Sequence, residues 1–248
     1  MKSDSNIKRL PSKVLVFSVT TVGLLHNSIF VSSTPEILRS LGESENLAGL
    51  LIAAGSVPGI VVAPLIGFLA DRFGRKKVLV PCLVVYGIFS LLVGLSPSLF
   101  WFLLIRIFQG LGSAGLINLV VVIISDNWAS LDRARLIGQN AAAITISVAI
   151  YPVVGGVITD LIGWRWVFLA FLAPLVVAFF VSKNLQDHQP RSDVSVREQI
   201  SGAFSEIVKP AIATNLVIVI ILFMAIFGLF QSLLPVHLER EFGLLPTG

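Results

Sequence analysis

Apolar residues run along this chain in unbroken blocks instead of alternating with polar ones. Residues 14–35, 46–70, 136–159, 166–182 and 210–238 contain no Asp, Glu, Lys or Arg, and between Lys77 and Asp126 the sole charge in 48 residues is Arg106. A helix needs about 20 apolar residues to cross the ~30 Å hydrocarbon core of a bilayer. Ser96-Pro97-Ser98 is a turn signal that divides the longest block in two. The pattern predicts seven spans, near 14–35, 47–70, 78–96, 99–125, 136–162, 166–183 and 211–235. Continuous apolar runs do not fit the alternation of barrel strands, so the expected class is an all-α membrane protein.

Composition agrees. Of 248 residues, 55% are hydrophobic and 13% charged, with a mean hydropathy of +0.91. Soluble domains carry about 25% charged residues. Soluble enzymes, nucleic-acid binders and disulfide-rich secreted modules are thereby excluded. The single cysteine, Cys82, has no internal partner and lies inside an apolar run, as a small packing residue does.

Basic residues set the expected orientation. With the N-terminus inside, cytoplasmic segments carry Lys2, Lys8, Arg9 and Lys13, then Arg72, Arg75, Lys76 and Lys77, then Arg133 and Arg135, then Lys183, Arg191, Arg197 and Lys209. That makes fourteen, against Arg39, Arg165 and Arg240 outside. This positive-inside bias predicts a multi-pass protein of the plasma (inner) membrane with a cytoplasmic N-terminus. The net charge of +4 then reports membrane orientation, and no nucleic-acid partner is implied. Lys8, Arg9 and Lys13 precede an apolar stretch as in a secretory signal. That stretch is long enough to span, and no small-residue cleavage site ends it, so it reads as the first span. The expected organisation is a six-helix bundle over 1–183, a polar cytoplasmic linker over 184–209 with a short amphipathic helix near 196–207, and a seventh helix within 210–248. Glu239-Arg240-Glu241 would lie outside.

One pattern recurs at an offset of 89 residues. Gly67-x3-Asp71-x2-Gly74-x-Lys76-x-Val78 aligns with Gly156-x3-Asp160-x2-Gly163-x-Arg165-x-Val167. The copies follow spans two and five, on opposite faces of the membrane, so spans 1–3 and 4–6 read as two inverted three-helix repeats. Such repeats are a construction of secondary transporters.

Gly67-Phe68-Leu69-Ala70-Asp71-Arg72-Phe73-Gly74-Arg75-Lys76-Lys77 closely resembles the signature between helices 2 and 3 of the major facilitator superfamily. Arg106-Ile-Phe-Gln109-Gly110-Leu-Gly112 and Pro152-Val-Val-Gly155-Gly156 resemble the helix 4 and helix 5 motifs of its drug:proton antiporter branch. Trp164-Arg165-Trp166-Val167-Phe168 is similar to its helix 5–6 junction. Two positions depart from the helix 5 motif, where Tyr151 and Ser147 stand for glycines. The resemblance implies a secondary transporter working by alternating access, in the antiporter branch by proton-coupled efflux of small amphipathic or hydrophobic compounds. Its partners would be a small-molecule substrate, protons and the lipid bilayer. A sugar or metabolite facilitator of the same superfamily, or a truncated non-transporting membrane module, are the alternatives. Members normally have two six-helix bundles, so seven spans leave most of a C-terminal bundle to be expected beyond this sequence.

Roles are then expected for particular residues. Gly67 is small enough for close helix approach. The resemblance places Asp71, Arg72, Gly74, Arg75 and Lys76 in a cytoplasmic gate, within which Asp71 and Arg75 are i,i+4. Asp126 and Arg133 of the 4–5 loop are placed to complete a latch, or all of these charges are positive-inside anchors with incidental partners. Exposed ion pairs contribute only about 0–1 kcal/mol each, so a latch requires partial burial. Arg106 lies seven residues into the fourth span, where an arginine costs roughly 2.5–3.5 kcal/mol on insertion scales. It either faces a polar cavity with Gln109, one turn away, and holds a counter-charge there, or snorkels outward. Gly110, His26 and Asn27 are further cavity candidates. His26 can equally be a hydrogen-bonded packing residue, and Asn27, Asn118, Asn140 and Gln231 either line the cavity or join helices. Pro152, Gly155 and Gly156 would shape helix 5 where it crosses a partner. No metal or cofactor is expected. H-E-x-x-H, G-x-S-x-G and Walker patterns are all absent, so neither an enzyme nor an ATP-driven pump is indicated.

Overall fold

The computed structural model describes residues 11–186 and 209–224, and all regular structure among them is helical. The helices are α1 (Lys13–Ser28), α2 (Thr34–Ser40), α3 (Ala48–Phe73), α4 (Arg75–Val93), α5 (Leu99–Ser113), α6 (Leu116–Asn127), α7 (Ser130–Ile162), α8 (Trp164–Val167), α9 (Leu172–Asn184) and α10 (Pro210–Met224). Short 3₁₀ turns lie at Glu45–Leu47 and Phe168–Phe171. Among the described residues, five stretches are long and apolar enough to cross a membrane: Glu45–Phe73, Arg75–Val93, Leu99–Asn127, Ser130–Ile162 and Trp164–Asn184. They correspond to expected spans two to six. The chain divides into two units, Met1–Ser192 and Asp193–Gly248. The amphipathic segment near 196–207, Gln231 and Glu239–Glu241 lie outside the described residues.

Three spans differ in detail from a plain reading of hydropathy. The first is broken: α1 stops at Ser28, a turn covers Ile29–Ser33, and α2 restarts at Thr34 with Pro35 in its first turn. Proline at a helix start needs no backbone N–H, so Ser-Ser-Thr-Pro favours a restart there. The fourth breaks at Gly115, whose φ of 79° lies in the left-handed region. The fifth is longer than its apolar block. Residues 130–135 are charged and exposed yet helical, because helix propensity continues where hydropathy stops.

The repeat reappears as backbone geometry. Gly74 (φ 104°, ψ 146°) joins α3 to α4, and Gly163 (φ 96°, ψ 154°) joins α7 to α8. Glycine alone reaches that region without strain. Each donates its N–H to the carbonyl four residues back, Ala70 at 3.1 Å and Thr159 at 2.9 Å. All four residues sit at the 89-residue offset.

Within the first unit, α1 packs against α6, α7 and α9, while α5 packs between α3 and α4. Lipid is as apolar as leucine, so burial alone does not hold such helices together. Close backbone approach and interhelical hydrogen bonds do. A Cβ on Gly110 would overlap the Gly55 carbonyl oxygen, so α5 and α3 touch backbone to backbone. A Cβ on Gly155 would overlap the Ile29 carbonyl oxygen, which fixes the crossing of α7 with the broken first span. Hydrogen bonds run along that crossing: Thr20 to Asn140 Oδ1 at 2.7 Å, Tyr151 to the Thr21 carbonyl at 3.0 Å and Ser32 to the Pro152 carbonyl at 2.8 Å. Ser33 and Thr159 share a further one.

Candidate functional site

Two constellations of charge lie in the first unit, one at the α3–α4 junction and one inside the bundle. At the junction, Arg75 is the first residue of α4, Asp71 lies in the last turn of α3, and Asp126 lies in the last turn of α6. Taken helix by helix, these are unfavourable placements: a cation at a positive N-terminal dipole end and carboxylates at negative C-terminal ends. Together they compensate one another. Arg75 NH1 stands 2.6 Å from Asp71 Oδ1, and its Nε donates to Asp126 Oδ2 at 3.1 Å. NH1 also donates to the Ala70 carbonyl at 2.7 Å, capping α3. The Arg75 and Asp126 side chains are 9% and 8% exposed, Asp71 is 43% exposed. A surface pair would contribute little. A pair this buried leaves an uncompensated charge when one partner is removed.

The other residues expected at this gate are arranged around that core. Gly74 supplies the positive-φ turn. Arg72 is exposed, its guanidinium 5.8 Å from the Phe73 ring, and Lys76 is half-buried. Arg133 is exposed on the first turn of α7, and no ion pair joins it to Arg75 or its carboxylates. Gly67 faces open space: nothing lies within 4 Å of where a Cβ would be.

Inside the bundle, Arg106 on α5 is completely buried. Its NH1 donates to the His26 carbonyl and to Gln109 Oε1, both at 2.7 Å, and NH2 donates to Asn27 Oδ1 at 3.3 Å. Its Nε reaches the Leu51 carbonyl of α3 at 3.4 Å. The Phe30 ring lies 4.1 Å from the guanidinium carbon, a cation–π distance. None of these partners is a carboxylate. The compensation is instead dipolar: His26 sits in the last turn of α1, where carbonyls lack intrahelical donors and the dipole is negative. The break in the first span thus builds the seat for Arg106. Gly55 supplies the room, since a Cβ there would stand 2.7 Å from NH2.

The network continues through Gln109, whose Nε2 donates to Ser90 Oγ at 2.6 Å, and Ser90 bonds the Tyr86 carbonyl. The Tyr86 hydroxyl donates to the Val22 carbonyl at 2.9 Å, and the ring meets His26 edge-on at 6.0 Å. Asn27 Nδ2 donates to Ser56 Oγ at 2.8 Å. His26 Nδ1 lies 2.9 Å from the Gly23 carbonyl. Arg106, Gln109, His26 and Asn27 are therefore one hydrogen-bonded cluster, and Gly110 sits at the backbone contact beside it. Pro152, Gly155 and Gly156 are separate, on the α7 crossing with the first span.

Sequence reasoning passed over Gly55, Ser56, Tyr86 and Ser90. Gly55-x3-Gly59 was the available signal, a small-xxx-small spacing of close helix contacts. Tyr86, Ser90 and Ser56 carried none, because a hydroxyl inside a span names no partner.

Known proteins can be set beside this geometry. Multidrug transporter protein MdtP of Bacillus subtilis (strain 168) is 28% identical over 185 residues, 74% of this chain and 34% of its own length. Multidrug resistance protein 2 of the same organism is 24% identical over 240 residues, covering 94% of this chain and 60% of its own. Among solved structures, a bacterial homolog of the human lysosomal transporter Spinster, inward-facing and occupied, aligns with 95% of this chain and 55% of its own at a TM-score of 0.73 and 20% identity. A D-xylose-proton symporter aligns with 95% of this chain and 63% of its own at 0.66 and 19% identity. The chain thus spans between 34% and 63% of the length of these proteins. The sequence profile of the Major Facilitator Superfamily matches residues 15–248, and the chain belongs to that family.

Proposed function

We propose that this chain forms the N-terminal part of a secondary active transporter that works by alternating access and exports small amphipathic or hydrophobic compounds in exchange for protons. The observation that carries the reading is Arg75, buried between Asp71 and Asp126, which ties three helix ends into one ion-paired junction. Such a junction is a two-state element: closed, its charges compensate one another, and opened, they must be solvated. The positive-inside distribution of Lys and Arg supports a position on the cytoplasmic side of a plasma membrane, where the junction would latch the inner gate. Two similar proteins that carry multidrug names support export over uptake. The mostly uncovered flanks of α3 and α7 are where a second bundle would pack, with Gly67 at that contact.

Arg106 belongs to the coupling machinery in this reading. Its charge is compensated by dipoles and amides, so an approaching anionic group, on substrate or protein, can compete for it.

The test is flux in everted membrane vesicles under an imposed pH gradient, on the complete transporter. Asp71→Asn is expected to reduce transport at least ten-fold while the protein still inserts in the membrane; wild-type flux in that variant removes the latch. Arg106→Ala is expected to abolish the response to the pH gradient. Unchanged proton-driven flux would remove Arg106 from coupling.

A further inference from the structure

We infer that the cleft between the start of α1 and the end of α9 is a binding site for an anionic phospholipid, its phosphate on Lys183 and an acyl chain along the apolar wall. The cleft has a volume of about 750 Å³, inside the roughly 300–1,000 Å³ of small-molecule sites. Val14 and Leu15 of α1 and Val177 and Phe180 of α9 line it, together with Ser12 and Lys183.

The order of these residues carries the argument. Along α9, Val177, Phe180 and Lys183 recur every three residues, so one face passes from apolar to charged as the helix ends. Along α1 the polar Ser12 comes first, then Val14 and Leu15; Ser18 follows, its hydroxyl already donated to the Leu15 carbonyl at 2.8 Å. The two helices line the cleft from opposite chain directions, which brings Ser12 and Lys183 to one end and the apolar side chains to the other. This is the polarity gradient of a phospholipid, at the depth where the ends of membrane helices meet water.

Charge points the same way. Among the described residues that line the cleft, Lys183 is the charged one and none is a carboxylate. Its ammonium makes no ion pair among the described residues and rests 5.8 Å from the Phe179 ring. Exposed Lys13 adjoins Ser12. Val14 and Phe180 are 78% and 50% exposed, an open apolar wall for an acyl chain to lie along, which inorganic phosphate would not contact. The inference is independent of the transport reading, since it needs only the fold and a bilayer.

Native mass spectrometry of the purified full chain, titrated with dioleoylphosphatidylglycerol or dioleoylphosphatidylcholine, tests it. Phosphatidylglycerol is expected to bind preferentially. Lys183→Gln should weaken that binding about five-fold, from the attraction of one surface lysine for anionic lipid, and remove the preference. Lys183 is exposed, so the substitution does not threaten folding. Arg135→Gln, an exposed basic residue outside the cleft, should change nothing. The inference is overturned if Lys183→Gln keeps the preference, if Arg135→Gln weakens it equally, or if inorganic phosphate displaces the lipid. A second arm places p-benzoylphenylalanine at Phe180 in vesicles of both lipids. Phosphatidylglycerol adducts support the site; cross-links to residues 187–209 or to a second copy of the chain overturn it.

Discussion

Glycines show what a single residue does here. Gly55 and Gly67 read alike in the sequence, small residues on one apolar helix. In the structure Gly55 lies against Arg106 and the Gly110 backbone, while Gly67 has nothing within 4 Å of a Cβ position. Gly55→Ala is expected to destabilise the fold by about 1–3 kcal/mol, the usual cost of overpacking, seen as a fall of several degrees in the unfolding midpoint in detergent. In the 248-residue chain by itself, Gly67→Ala is expected to leave that midpoint unchanged. Equal midpoints for the two variants would contradict the α3–α5 contact. Arg106 teaches the same lesson in reverse. Its type and depth marked it out in the sequence, and its i+3 relation to Gln109 became a hydrogen bond. Another partner, the His26 carbonyl, was not legible, because a backbone oxygen becomes available only where a helix ends and hydropathy did not place that end.

Among elements, the first span and α7 make the contact most dependent on detail. Tyr151 stands where the family motif has glycine, and its hydroxyl bonds the Thr21 carbonyl across the crossing. Interhelical hydrogen bonds in membranes average about 0.6 kcal/mol, so Tyr151→Phe should lower stability only slightly. Gly155→Ala should be severe, because the added methyl meets the Ile29 backbone and not a side chain that can turn away. Thermal unfolding in detergent ranks the two, and a mild Gly155→Ala would mean that the helices cross elsewhere. The junction glycines Gly74 and Gly163 were legible, since a motif repeated at fixed offset implies a repeated turn. The exposed charged turn that opens α7 was not, because hydropathy reports where lipid is and not where a helix begins.

At the scale of the molecule, burial is uneven. Only 17% of the apolar stretch of α3 and 11% of that of α7 is buried, against 44% for α4 and 50% for the fourth span. The fifth span therefore leaves most of its residues exposed, and the second is largely half-buried, which leaves both with surface for lipid or further protein. Orientation is the prediction that belongs here. In a Cys82→Ala background, Asn46→Cys is expected to react with a membrane-impermeant maleimide in intact cells, and Ala134→Cys only after permeabilisation; the reverse pattern would invert the topology. The sequence by itself determined the helical class, the five long apolar spans, the repeated glycine turn and the residues worth watching, because apolar length, charge placement and a glycine-demanding turn are local properties. Tertiary structure decided which charges pair, where the first and fourth spans break, and that Arg106 is seated on the end of α1. Those outcomes depend on which backbones come within bonding distance, and no single stretch of sequence encodes that distance.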